Sequence, residues 1–134
     1  MSTRRPQRIL VTGGAGFIGS HLVETFLADG HRVSVVDDFS TGLEENLPPA
    51  GTEGFELHRL DIGSAAAAQL LEEGGFDTLV HQAAQMNVRR SVEDVAFDAR
   101  VNILGTINLL EAAVRGGVKQ VLFASTGGAI YGEQ

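Results

Sequence analysis

Residues 8–22, RILVTGGAGFIGSHL, decide the fold of this chain. The apolar run at 8–12 predicts a buried strand, and glycines at 13, 16 and 19 follow it directly and open a helix. One glycine allows the tight turn, another lets the backbone approach a diphosphate, and the last lets the helix pack closely on the sheet. The helix N-terminus also offers unpaired N–H groups to an anion. The stretch therefore predicts a nucleotide-binding βαβ unit.

Outside this stretch, short apolar runs alternate with helical patterns. Strands are predicted at 31–38, 55–62, 77–84 and 119–126, and helices at about 16–29, 65–72 and 91–115, the last with a candidate break near Asp98. Residues 39–54 are expected to form a loop or a short irregular helix. The alternation predicts an α/β fold, a Rossmann-type doubly wound parallel sheet of about five strands.

Two finer expectations concern packing. In the first helix, Ile18, Leu22, Phe26 and Leu27 fall roughly on one face. The continuously apolar runs at 79–80 and 121–124 are typical of strands buried on both faces.

Composition narrows the class of protein. A chain of 134 residues that is 43% hydrophobic suits one globular domain, here 1–134. A net charge of −7 disfavours nucleic acid as a partner. With no cysteine, the chain has no disulfide, thiolate metal site or cysteine nucleophile, and the four histidines lack metal-ligand spacing. No apolar run is long enough for a membrane span. We therefore expect a cytoplasmic domain without a metal.

A carboxylate at the end of the second predicted strand supports nucleotide binding. Asp37 lies 24 residues past Gly13, where it can accept hydrogen bonds from both ribose hydroxyls of an adenosine and repel a 2′-phosphate. This favours NAD over NADP; the alternative is a structural glycine turn beside a solvated carboxylate. Asp38 is expected to be a solvated or turn residue. His81, on the fourth strand, is expected to be a satisfied core or near-cofactor histidine rather than a general base.

Several segments carry a family resemblance: VTGGAGFIGSHLVE (11–24), VVDDFSTG (35–42), LDI (60–62), VHQAAQMNVRRSVED (80–94), VNILGTINLLEAA (101–113) and FASTGGAIYGE (123–133). Together they resemble the extended short-chain dehydrogenase/reductase family, specifically its NAD-dependent nucleotide-sugar epimerases and dehydratases, over about residues 8–132. DDFSTG stands where 4-epimerases of UDP-hexoses often read DNLSTG. The resemblance implies NAD as cofactor, a UDP-hexose as substrate, and a homodimer or other self-association.

The resemblance also implies a set of cofactor contacts. They are Gly13, Gly16, Phe17 and Ile18 at the diphosphate; Asp37, Phe39, Ser40, Thr41 and Gly42 at the adenosine ribose; Asp61 and Ile62 at the adenine; Gln82, Ala83, Ala84 and Met86 along the fourth strand; and Asn102 of an NxxGT motif. Ser125 and Thr126 match a pair of catalytic hydroxyl residues, and Thr126 is favoured as the one that hydrogen-bonds the sugar.

Departures from the family pattern shape the functional expectation. Met86 stands where some members have lysine, and four residues rather than three separate Thr126 from Tyr131. The turn lacks the Asp-Glu pair that serves dehydratases as acid and base, which disfavours elimination.

The catalytic Tyr and Lys of a YxxxK motif are absent from the chain, since Tyr131 belongs to a structural turn. We therefore expect the cofactor-binding part of a 4-epimerase, truncated, inactive alone and open at the strand-five edge. The alternatives are a non-catalytic NAD-binding module, or a decarboxylase or reductase of the same family.

Overall fold

Five parallel strands form one sheet in the computed structural model of the chain, which describes residues 5–83 and 93–123 apart from the side chains at 97 and 98. The strands are β1 (Arg8–Thr12), β2 (Arg32–Asp37), β3 (Phe55–Arg59), β4 (Thr78–His81) and β5 (Gln120–Phe123). The helices are α1 (Phe17–Ala28), α2 (Ala65–Glu73), α3 (Val95–Ala99) and α4 (Gly105–Arg115), with a π-helical segment at Arg100–Leu104 and a short 3₁₀ helix at Glu44–Asn46.

The strand order is β3-β2-β1-β4-β5. From β1 the chain adds β2 and then β3 on one side, and it then crosses to the other side of β1 to add β4 and β5. Val11 at the centre of the sheet is level with Val35 on one side and Val80 on the other. Ligands of such sheets bind beyond the carboxyl ends of the strands where the order reverses, here between β1 and β4. The predicted Rossmann-type fold is confirmed.

Two apolar layers hold the helices on opposite faces of the sheet. Alternate β1 residues point to opposite faces, so Leu10 packs with Leu71 and Leu109 from α2 and α4, while Val11 packs with Val23 from α1. The buried central strands explain why β1, β2 and β4 read as nearly continuous apolar runs. None of the helices in the described ranges combines the length and apolarity that crossing a bilayer would require.

Local signals set several helix ends. The Ser64 hydroxyl accepts a hydrogen bond from the Ala67 N–H at 3.2 Å and caps α2. Gly74 caps the other end of α2, and Gly117, with φ of 73°, follows α4 in the left-handed conformation that glycine adopts freely.

The packed face of α1 differs from the prediction. Its buried residues are Gly19, Ser20 and Val23, whereas Ile18 is 61% exposed. Leu22, Phe26 and Leu27 pack only partly against the core. The close approach of Gly19 to the preceding loop rotates Ile18 outward, which apolar periodicity alone does not reveal.

The prediction that β5 is buried on both faces is wrong for its described residues. Val121, Leu122 and Phe123 are 38%, 43% and 61% exposed, because β5 is paired with β4 alone within the described part of the chain. The expected open edge at strand five is therefore present there.

The helix predicted at 91–115 has no break at Asp98. It changes from α to π hydrogen bonding at Arg100, and the Gly105 N–H donates to the Arg100 carbonyl five residues earlier. It returns to α-helix from Gly105. π-helical turns within α-helices are rare and occur frequently at functional sites.

Candidate dinucleotide site

The glycine loop (residues 13–16) crosses the carboxyl end of β4 at very short range. Gly13 has φ of 70°, and a Cβ built there would lie 2.8 Å from the Ala83 nitrogen. At Gly14, a Cβ would lie 2.7 Å from the Val35 side chain. Position 13 therefore requires glycine for both conformation and space, and position 14 requires it for space. The loop backbone therefore packs directly against the segment that follows β4.

The N-terminus of α1 opens directly from this loop. Gly16 is its N-cap, no side chain caps it, and no acidic residue lies in the first turn. The first N–H groups of a helix have no intrahelical acceptor and carry a partial positive charge. Phe17 and Ile18 present their side chains outward at 79% and 61% exposure. This end of the helix suits a diphosphate.

Asp37 holds two backbone segments together at the carboxyl end of β2. Its carboxylate is buried and accepts hydrogen bonds from the Ala15 N–H at 2.9 Å and the Phe39 N–H at 2.7 Å. An ionised carboxylate has about four acceptor positions, so acceptor capacity remains for ribose hydroxyls. Asp38 is exposed and accepts from the Ser40 N–H, as a turn residue does.

The second loop (residues 38–46) is anchored to the glycine loop through one carbonyl. The Ala15 oxygen accepts hydrogen bonds from the Leu43 N–H at 3.2 Å and the Asn46 side-chain amide at 2.9 Å. A Cβ at Gly42 would lie 2.7 Å from that of Ala15. The peptide groups of Ala15 thus tie both loops into one wall beside Asp37.

Phe39 adopts an uncommon backbone conformation, with φ of 60°. This left-handed region costs a bulky residue about 1–2 kcal/mol, so other contacts must hold it. They are the bond to Asp37 and the Arg59 guanidinium, which lies 4.2 Å from the ring centroid and pairs with Glu44. The strained residue folds the second loop back toward Asp37.

A buried histidine lies at the junction of β1 and β4. His81 Nδ1 is 2.7 Å from the Thr12 hydroxyl, and its Nε2 is 2.9 Å from the Thr106 hydroxyl. Burial lowers the pKa of His81, because desolvation disfavours the imidazolium. The expectation of a satisfied histidine near the cofactor region is confirmed as far as its hydrogen bonds are concerned.

The remaining predicted residues occupy three kinds of position. Ser40 and Thr41 are exposed on the second loop, and Asp61 lies after β3, where its carboxylate accepts from the Gly63 N–H at 2.9 Å. Ile62 is buried beside Gly105, so its side chain belongs to the core. Asn102 lies on the π-helical segment and its carbonyl accepts from the Thr106 hydroxyl. Ala84, Met86, Ser125 and Thr126 lie outside the described residues.

The strand ends bring together Gly13, Gly16, Asp37, Gln82 and Ala83. Sequence reasoning missed Ala15, Asn46 and Thr106 as supports of this site. Thr12 directly precedes the glycines, and this place in the sequence indicates that it lies at the site. Nothing in the sequence marks Asn46 in the same way.

Other parts of the described structure offer no competing chemistry. A surface cavity of about 300 Å³ lies at the amino end of the sheet between Gln7, Asp77 and Gln120, opposite the glycine loop. Loops at the carboxyl ends carry the ligand in sheets of this kind, so the cavity is not the candidate site. Among the described side chains of residues 5–83 and 93–123, which leave out positions 97 and 98, no three metal-ligating groups converge.

Comparison with known proteins gives a family and relatives. The sequence profile of the NAD dependent epimerase/dehydratase family matches residues 9–134. The chain is 50% identical over 126 residues to UDP-glucose 4-epimerase from Mycolicibacterium smegmatis, covering 93% of this chain and 40% of that protein. It is 36% identical over 134 residues to UDP-glucuronic acid decarboxylase 1 from Danio rerio, covering 99% and 30%.

A solved structure is similar over the same region. The Thermus thermophilus UDP-glucose 4-epimerase complex with NAD matches with a TM-score of 0.80 and 49% identity, covering 95% of this chain and 40% of that one. The chain thus spans well under half the length of these relatives.

Proposed function

Because the chain belongs to the NAD-dependent epimerase/dehydratase family, we propose that it is the NAD-binding part of a nucleotide-sugar 4-epimerase that acts on a UDP-hexose. The observation that carries the proposal is that Asp37, at the carboxyl end of β2 next to the switch point, links two loops through its carboxylate. One carboxylate oxygen holds the glycine loop and the other holds the second loop. The similarity to 4-epimerases supports the reaction class.

Each loop has a distinct role in this proposal. The uncapped N-terminus of α1 binds the diphosphate, and the glycines at 13 and 16 allow the backbone to approach it. Asp37 accepts hydrogen bonds from the adenosine ribose, while Asp61 binds the adenine from the end of β3. When bound, NAD supplies reversible oxidation of the sugar at C4. Thr126, with Ser125, hydrogen-bonds the sugar near that carbon.

The charge of Asp37 makes the site selective for NAD. A 2′-phosphate beside the carboxylate would be repelled, whereas a 2′-hydroxyl donates a hydrogen bond to it. We expect calorimetry to show that the chain binds NAD more tightly than NADP. Asp37→Asn should lower the ratio of the NADP dissociation constant to the NAD dissociation constant by about tenfold or more. A tenfold change corresponds to about 1.4 kcal/mol of binding free energy.

The control is the neighbouring carboxylate. Asp38→Asn removes a charge one residue away, at an exposed turn, and should leave the NADP-to-NAD ratio close to that of the unmodified chain. Asp37→Asn also loses one of two backbone bonds and so lowers stability. The ratio is insensitive to this loss of stability, because a partly unfolded population weakens the apparent binding of NAD and NADP equally. An unchanged ratio in Asp37→Asn would contradict the assigned role.

A decarboxylase is a second candidate because of the 36% identity to the Danio rerio protein. It shares the cofactor half and differs in the sugar it oxidises. A longer parent chain that converted UDP-glucuronate, and did not interconvert UDP-glucose and UDP-galactose, would favour it. If the native protein bound NAD but converted neither UDP-glucuronate nor UDP-glucose, the non-catalytic binding module would be favoured.

A further inference from the structure

Side chains and backbone groups form one continuous hydrogen-bonded chain across the switch point. Thr12 and His81 are level with each other on β1 and β4, and their side chains meet at 2.7 Å. On the other side of the ring, His81 Nε2 meets the Thr106 hydroxyl at 2.9 Å. That hydroxyl lies 3.0 Å from the Asn102 carbonyl in the π-helical segment. This series of hydrogen bonds joins β1, β4 and the helix that carries Thr106.

The proton positions follow from the Thr12 end. A hydroxyl has one proton to donate and two lone pairs to accept with. The Thr12 hydroxyl oxygen accepts from the Ala83 N–H and from the Gln82 N–H, both at 3.1 Å, and the Gln82 N–H is shared with the Thr12 carbonyl oxygen, also at 3.1 Å. The lone pairs of the hydroxyl are therefore used, and its proton is directed to His81 Nδ1.

The Thr106 end requires the same assignment. The Asn102 carbonyl can only accept, so the Thr106 hydroxyl donates its proton there. Thr106 then accepts from His81, whose Nε2 carries the ring proton. Every side-chain proton of this network then has an acceptor, and no two protons are directed at each other. An imidazolium would force a donor against the filled lone pairs of Thr12.

We propose that His81 is a positioning residue: a neutral, Nε2-protonated histidine that fixes the Gln82–Ala83 backbone against the glycine loop and against the π-helical turn of Asn102. The hydrogen bonds of His81 matter for the site because they end at the backbone next to the glycine loop. Ala83 is the group that Gly13 approaches most closely, so a shift of the β4 end changes the space over the loop. The effect on cofactor binding rests on the proposed function, whereas the hydrogen-bond chain does not.

The first test is nitrogen-detected NMR of the histidine rings in the unmodified 134-residue chain at neutral pH. His81 should show a protonated Nε2 and an unprotonated Nδ1. An Nδ1-protonated ring or an imidazolium would overturn the proposal. No variant is needed, so a failure to fold cannot obscure the result.

The second test removes one link. Thr106→Val keeps the shape of the side chain and deletes both of its hydrogen bonds. It should move the amide resonances of Gln82 and Ala83 and weaken binding of added NAD about three- to tenfold, or about 0.7–1.4 kcal/mol, as expected for loss of one net hydrogen bond. Thr25→Val is the matched control, since the Thr25 hydroxyl donates to the His21 carbonyl four residues earlier on α1 and makes no hydrogen bond to a side chain among the described residues.

A purely structural role predicts a different pattern. Thr106→Val would then lower the unfolding midpoint and leave the two amides and the NAD affinity as in Thr25→Val, which would overturn the proposal. If the unmodified chain failed to bind NAD, the proposed function would fail. The tautomer and the amide shifts would still decide the positioning role.

Discussion

At the residue scale, Gly19 sets how closely the first helix meets the glycine loop. A Cβ at this position would lie 2.2 Å from the Gly13 carbonyl oxygen and 2.9 Å from the Gly14 Cα. Both neighbours are backbone atoms in a loop that is held by Asp37, so they have little freedom to move. Packing at Gly19 is therefore part of the site, although no functional group is involved.

We expect Gly19→Ala to lower the free energy of unfolding by about 1–3 kcal/mol, because added volume must displace the loop. Urea unfolding followed by circular dichroism measures this. Gly63→Ala is the control, since a Cβ there would meet only the Asp61 carboxylate at an ordinary 3.5 Å. It should change stability by less than about 0.5 kcal/mol. Equal losses in the two variants would show that the contact at Gly19 is not limiting.

At the element scale, β5 differs from the other strands. Its apolar side chains are partly exposed, and its outer edge is unpaired within the described residues. Unpaired strand edges are templates for pairing with another chain. The helix that follows the π-helical segment offers a second apolar surface, which includes Ile107 and Val114 at 46% and 81% exposure.

We expect the 134-residue chain to self-associate through the β5 edge, and sedimentation velocity at increasing concentration should detect this. Leu122→Lys places a charge on that strand and should reduce the associated fraction. Ile107→Lys adds the same charge to α4 and should have little effect. If Ile107→Lys alone produced a monomer, association would occur through the helix instead.

At the scale of the whole molecule, the residues proposed to bind the cofactor in the described part of the chain lie at one end of the sheet. Tyr131 is the only tyrosine and Lys119 the only lysine in the sequence. Lys119 precedes β5 at the amino end of the sheet, where its N–H donates to the Asp77 carbonyl. It is therefore at the opposite end from the glycine loop and cannot act beside the sugar.

We accordingly expect the purified 134-residue chain with added NAD to give no conversion of UDP-galactose to UDP-glucose. The measurement is product analysis by chromatography, with protein from an expression host that lacks its own epimerase. The full-length Thermus thermophilus relative is the positive control. Turnover above the protein-free blank would contradict the expectation and would require another acid–base group in this chain.

The sequence by itself determined the features that depend on neighbouring residues. The strand–glycine–helix order, the Asp37 position and the Ser64 cap all act over short segments, so their patterns are readable. They were enough to predict the Rossmann-type sheet and most of the residues now found at its carboxyl edge. The candidate break near Asp98 is instead a change from α- to π-helical hydrogen bonding at Arg100, which has no local sequence signature as strong as a cap.

Only the tertiary structure decided the contacts between distant segments. Thr12 and His81 are 69 residues apart and His81 and Thr106 are 25 apart, so their meeting depends on strand order and register. The exposure of Ile18 and of β5 likewise follows from which neighbours the fold supplies. Local patterns specify the elements, whereas hydrogen-bond partners across the sheet exist only after the strands have packed side by side.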